Sequence, residues 1–179
     1  MIDNEKYTFG FTAASMRLND FVMIARNLHN GQYIDYINLL GAGKEATGKR
    51  LFSEYKKRIS NLTADQLDIL INGSLPSQKQ VAFLAICKTN GFIRDFVVEV
   101  VREKLLLFDY KLSDGDFISY LRRKSAIHPE LESITETTIR KIKQVSFKIL
   151  EQAGIIESLK NKIIQPQLID KDVMDALVT

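Results

Sequence analysis

The sequence predicts a mainly α-helical protein, and three observations predict it. Apolar residues recur at three- and four-residue spacing along most of the chain. Only three prolines and nine glycines interrupt 179 residues, so long regular elements are expected. Capping patterns in which a hydroxyl residue precedes Gln or Glu by three positions open two segments. A composition of 45% hydrophobic and 26% charged residues is that of a packed chain rather than a disordered one. The length suits one domain or two small ones. A change of character near Leu107-Phe108-Asp109-Tyr110 divides it into a helical bundle over residues 1–110 and a second domain over residues 111–179.

Taken in order, Met16, Phe21, Ile24, Ala25 and Leu28 mark a helix between Thr12 and Leu28, stopped by Asn30-Gly31. A short helix is expected from Gln32 to Leu40, ended by Gly41-Ala42-Gly43. A third, from Thr47 to Ser60, aligns Leu51, Tyr55 and Ile59. Thr63-Ala64-Asp65-Gln66 reads as a capping box and starts a helix ending near Asn72-Gly73. Pro76 fits the first turn of the next helix, which runs to Asn90-Gly91. Phe92 to Phe108 carries the broad stripe Ile93, Phe96, Val97, Val100, Val101 and Leu105, which predicts a helix central to the core. Ser113-Asp114-Gly115-Asp116 opens a short helix over Phe117–Lys124. Ser133-Ile134-Thr135-Glu136 opens a long one reaching Ala153, closed by Gly154. Ile155-Ile156 and Ile163-Ile164 flank a polar turn and predict a β-hairpin; Pro166 ends it, and residues 170–177 form a last short helix.

Helix, turn, long helix, glycine and hairpin is the order of a winged helix-turn-helix, whose second helix enters the DNA major groove while the wing meets the flanking backbone. At 100° per residue, Ile139, Ile142, Ser146, Ile149, Leu150 and Ala153 fall in one inward sector. Thr137, Arg140, Lys141, Gln144 and Lys148 fall opposite, with Glu151 at the far end. Arg pairs with guanine, Gln with adenine, and Lys and Thr with phosphate. The wing tip adds Lys160, Asn161 and Lys162, and the preceding helix adds Arg122, Arg123 and Lys124. Double-stranded DNA is the partner this predicts. The plain alternative is the wet side of an amphipathic helix, or a winged helix used to bind protein.

Net charge is only +3, yet residues 44–58 carry six Lys/Arg against two acids. Within that cluster Lys49, Arg50 and Lys57 are candidate auxiliary phosphate contacts, against a solvated surface paired with Glu54. Gly43 to Arg50 mimics the glycine and lysine spacing of a phosphate-binding P-loop, but Arg50 stands where Ser or Thr must hold magnesium. A helix–helix connection is the better reading. Asp95, Glu99 and Glu103 recur at four-residue intervals beside Arg102 and Lys104, as on an ordinary charged helix edge. Cys87 is the single cysteine, read as a small buried hydrophobe, and His29 and His128 have no zinc-ligand spacing. No enzyme, cofactor or metal is expected. Without an apolar run of about 20 residues or a signal-like N-terminus, the expected location is the cytoplasm, away from membrane.

The order of several segments resembles the BrxA family, the small helical component of bacteriophage-exclusion (BREX) defence systems. These are Thr47-Gly48-Lys49-Arg50, Arg58-Ile59-Ser60-Asn61-Leu62, Arg94-Asp95-Phe96-Val97-Val98-Glu99-Val100, Asp116-Phe117, His128-Pro129-Glu130-Leu131, Thr138-Ile139-Arg140-Lys141 and Leu150 through Ile156. None is a catalytic signature; their order carries the likeness. The resemblance implies a DNA-binding helical protein of winged-helix character with a NusB-like helical bundle. It also implies an accessory role beside the methyltransferase and ATPase components of a defence complex. Two rivals stand beside duplex binding: a protein scaffold using the apolar surface of residues 76–108, and an RNA-binding helical module. A dimer would favour paired half-sites, a monomer diffuse backbone binding.

Overall fold

The computed structural model describes residues 5–178, and among them the protein is mainly helical. Its helices are α1 (Leu18–His29), α2 (Tyr36–Leu39), α3 (Glu45–Ser60), α4 (Ala64–Asn72), α5 (Leu75–Thr89), α6 (Gly91–Phe96), α7 (Arg102–Leu106), α8 (Asp114–Ser125), α9 (Glu136–Gln152) and α10 (Lys171–Val178). The chain forms two compact units. One combines residues 5–12 with Asn90–Gln167; the other combines Ala13–Thr89 with residues 168–178. The change of character near residue 110 therefore falls inside a unit.

In the unit built from α1–α5 and α10, the apolar faces read from the sequence turn inward. Phe21, Ile24 and Ala25 of α1, Leu51 and Tyr55 of α3, Leu70 of α4 and Val81, Ala82, Ala85 and Ile86 of α5 are buried. Burial of the Phe, Leu, Ile and Val side chains among them supplies about 1.5–3 kcal/mol each. The Thr63 capping box forms: Thr63 Oγ1 accepts the Gln66 amide and Gln66 Oε1 accepts the Thr63 amide. Gln66 then donates to the Ala176 carbonyl at 3.0 Å, tying α10 to α4. Arg58, fully buried, donates to Glu54 at 3.1 Å and to the carbonyls of Ala14 and Ser15 at 2.5 and 2.8 Å. Helix α1 begins at Leu18 rather than Thr12 because Arg17 adopts a left-handed backbone, φ 42°. Cys87 is half-buried rather than buried.

The other unit has an aromatic core. Phe92, Phe96, Phe117, Tyr120 and Phe147 interlock at centroid distances of 5.2–6.3 Å, a spacing at which edge and face contacts add to area burial. The stripe after Phe92 is a continuous helix, but Val97–Val101 is wound as one wider, π-helical turn between α6 and α7. The segment before Thr12 is held here by Tyr7, whose ring stacks on His128 at 3.8 Å and whose hydroxyl donates to Asp95 at 2.6 Å.

The hairpin expected over Ile155–Ile164 does not form as strands. Among the described residues there are two isolated antiparallel bridges, Ile156 with Ile164 and Lys111 with Ile163. The physical reason is length: only three residues lie between Gly154, at φ 74° after the helix, and the turn that opens at Ser158, and Pro166 lacks the N–H needed to extend the return arm.

Candidate nucleic-acid interface

Helix α9 starts two residues later than its sequence suggests. Thr135, not Ser133, is the N-cap, and its hydroxyl accepts the Thr138 amide at 3.2 Å. Ser133 instead donates to the Glu130 carbonyl. From there Ile142, Val145, Ser146, Phe147, Ile149 and Leu150 are buried. Ser146 is tolerated in that stripe because its hydroxyl donates to the Ile142 carbonyl at 2.7 Å. The opposite face is open: Thr137, Arg140, Lys141 and Gln144 are exposed, Arg140 with only a loose approach to Glu136 at 3.8 Å. An exposed pair of that kind contributes little, so the guanidinium stays available to an anion.

Lys148 is half-buried and committed. Its ammonium lies 2.7 Å from Glu151 Oε2, while Glu151 Oε1 accepts the Leu159 amide. The lysine holds the Glu151 carboxyl below the usual carboxylate range. The local charge is cancelled, and Glu151 fastens α9 to the turn that follows it.

At that turn Lys160 and Asn161 are exposed, but Lys162 is turned in. Its ammonium is 3.3 Å from Asp114 and 5.3 Å from the Phe147 ring. Asp114 also accepts from Lys143 at 2.7 Å, and the two lysines hold its carboxyl below the usual range, Lys143 most. Lys162 is thus a rivet between the turn and the start of α8.

The preceding basic run divides too. Arg122 is exposed, and Arg123 is exposed with Glu99 at 4.0 Å. Lys124 is buried, its ammonium 2.5 Å from Glu99 and 3.7 Å from Asp95. It cannot reach a nucleic acid. The helix start expected at Ser113 is observed, as a capping box between Ser113 and Asp116.

Lys49, Arg50 and Lys57 lie in the other unit, on α3, and all are exposed. The Glu54 carboxylate expected to pair with them is buried with Arg58 instead. Two exposed cations of the same cluster, Lys44 and Lys56, join that surface, and the sequence reading did not single them out. The glycine–lysine run at its start has no preceding strand among the described residues. Gly48 sits against α2, where an added Cβ would lie 2.5 Å from the Tyr36 carbonyl oxygen. The acids Asp95 and Glu99 are engaged by Tyr7, Arg94, Arg123 and Lys124.

No helix among the described residues is long and apolar enough to cross a membrane. These features define a mainly α-helical protein of two compact units, one presenting a polar, cationic helix face. The BrxA family model matches residues 5–179, and the chain belongs to that family. It is 25% identical to the BREX protein BrxA of Escherichia coli O9:H4 (strain HS), over 72% of this chain and 60% of that one. It is 27% identical to the BREX protein BrxA of Bacillus cereus (strain H3081.97), over 77% of this chain and 70% of that one. The chain thus spans less than two thirds of the Escherichia coli relative. A crystal structure of a protein from Magnetospirillum magneticum has the same fold, with a TM-score of 0.84 at 22% identity over 97% of this chain and 93% of that chain.

Proposed function

We propose that this protein is a non-enzymatic, duplex-DNA-binding accessory component of a BREX phage-defence system, working beside partner components such as its methyltransferase and ATPase. The names of the relatives support the defence role. The observation that carries DNA binding is the open face of α9, where Thr137, Arg140, Lys141 and Gln144 stand together with the helix's apolar stripe buried behind them. The order of α8, α9 and the bridged turn is that of a winged helix, although the wing forms no strands among the described residues. The bridged residue Lys111, helices α8 and α9, and the bridged turn with Lys160 and Asn161 at its tip follow one another as strand, helices and wing do in that fold. In this reading Arg140 and Gln144 face base edges. Thr137, Lys141, Lys160 and Asn161 face the backbone, with Arg122 and Arg123 flanking.

Duplex titration at two salt concentrations tests it. Arg140→Glu with Lys141→Glu should abolish binding at low salt, and the neutral Lys141→Gln should lower the salt slope by about one unit, for its one phosphate contact. Retention of wild-type affinity by the charge-reversed protein would end the proposal. A protein-binding role is favoured by a different observation: Leu106, Leu107 and Phe108 are 63%, 76% and 78% exposed in succession, a patch that fits a partner surface. Co-purification of a defence component lost on Phe108→Asp, with DNA binding intact, would establish that second role.

A further inference from the structure

The densest set of unpaired cations is not on α9. Lys49, Arg50, Lys56 and Lys57 of α3, with Lys44 just before it, are all exposed, and none forms an ion pair among the described residues. The acids nearest in sequence are Glu45, exposed at the helix start, Glu54, buried against Arg58, and Asp35, bonded to Asn38. Aromatic rings lie within this charge. Phe52 shares a face with Lys49 and Lys56 at three- and four-residue spacing. It stacks flat on Tyr36, with centroids 5.0 Å apart and planes within 6°, and the Lys56 ammonium sits 4.9 Å from its centroid. Three residues before Tyr36, Tyr33 is 90% exposed, the most exposed aromatic of the described chain.

We infer that the α2–α3 face is a second, independent binding site, for single-stranded nucleic acid. Unpaired cations tracking a backbone, with aromatic faces on which bases stack, is how strands without a partner are held, and stacking tolerates any base because every base has a π-face. A duplex hides those faces and would draw only on the charge. Tyr33, three residues before Tyr36 in the chain, offers the open platform, the Tyr36–Phe52 stack stiffens α2 against α3, and Lys49, Lys56 and Lys57 follow the phosphates. Arg50 adds either charge or a planar stacking surface.

The test uses the full chain with three labelled probes: oligo-dT, oligo-rU, and a random-sequence duplex of equal length. Tyr33→Ala should weaken the single strands by about tenfold and leave the duplex unchanged, as loss of one stacked base predicts. Lys49→Glu with Lys56→Glu should abolish single-strand binding. Both alter exposed side chains, and circular dichroism confirms the fold. The α9 variant Arg140→Glu with Lys141→Glu should keep wild-type single-strand affinity, so this site and the duplex site fail separately. The DNA and RNA probes show which sugar the site accepts, and binding of either supports it. If the lysine variant weakens the duplex while Tyr33→Ala leaves every probe unchanged, the face is a duplex footprint and the inference is wrong. Undetectable single-strand binding by the unaltered protein at low salt would also overturn it.

Discussion

The ammonium of Lys124 lies 2.5 Å from the Glu99 carboxylate, bringing a buried lysine of α8 onto the helix that runs through the core of its unit. The same ammonium is 3.7 Å from Asp95, which accepts the Tyr7 hydroxyl, so one lysine supports the anchor of the N-terminal segment as well. Replacement by methionine fills the volume but takes the nearest counter-charge from Glu99, leaving Arg123 at 4.0 Å, and one of two from Asp95, which keeps Arg94. Both carboxylates are partly open to water, which softens the penalty to about 1–2 kcal/mol, below the cost of breaking a fully buried pair. Urea unfolding should show that loss in Lys124→Met, while duplex affinity stays at the wild-type value. A fall in affinity without a fall in stability would return Lys124 to the DNA surface.

Arg58 is the more severe case. Its planar guanidinium satisfies Glu54 and two backbone carbonyls at once, with no exposed surface. Arg58→Met removes the counter-charge of a buried carboxylate and orphans the carbonyls of Ala14 and Ser15, a loss of about 3–5 kcal/mol. Arg58→Lys should recover little, because a single ammonium cannot fork to three acceptors in fixed directions. Chemical denaturation midpoints of both variants check this.

The legible parts of this protein were those written in neighbouring residues. The capping box at Thr63 and the helix start at Ser113 are local chemistry, and both form. Ile142, Ser146, Ile149 and Leu150 follow the helical period, and all are buried. The start of α9 slipped by two because Ser133 and Thr135 offer the same hydroxyl, and the choice depends on Ser133 finding the Glu130 carbonyl. Lys124 and Lys162 looked like surface cations because their partners, Glu99 and Asp114, are 25 and 48 residues away in the chain. The division into units was hidden for the same reason. Tyr7 is tied to Asp95, Glu130 and His128, contacts with no local signature. The cationic face of α3 was visible as charge. That Glu54 would turn inward to Arg58 and leave the lysines unpaired was not.

Alkali should destabilise the protein through buried phenols. Burial raises the Tyr55 hydroxyl from 10.0 to about 12, and Tyr7 and Tyr120 are raised as well, again chiefly by burial. Each folded-state value lies above the unfolded one, so the stabilisation of the neutral form is complete below pH 10 and is lost as pH rises through the folded value. For Tyr55 alone the loss near pH 11 is roughly 1 kcal/mol. No protein group among the described residues hydrogen-bonds the Tyr55 hydroxyl. Tyr55→Phe therefore orphans no partner and should be neutral or stabilising at pH 7. Its melting temperature should also fall less than the wild type's between about pH 8 and about pH 11. Equal falls in the two proteins would show that Tyr55 does not titrate in this window.

The glycine–lysine run that imitates a phosphate loop yields the last prediction. Were it a nucleotide cradle, Lys49 would matter and Gly48 would serve the approach of a phosphate. Here Gly48 lies within α3, and a Cβ on it would come within 2.5 Å of the Tyr36 carbonyl oxygen and 3.0 Å of the Ile37 Cα. Both obstacles are backbone, so no rotamer change relieves them; α2 must move off α3, at about 1–3 kcal/mol. Alanine's better helix propensity returns about 1 kcal/mol at most. Gly48→Ala should therefore lower the unfolding midpoint, while exposed Lys49→Ala leaves it within about 0.5 kcal/mol of wild type. Stability unchanged by Gly48→Ala would mean that α2 does not rest on α3 as described. Magnesium–ATP binding lost on Lys49→Ala would mean that the run is a phosphate loop after all.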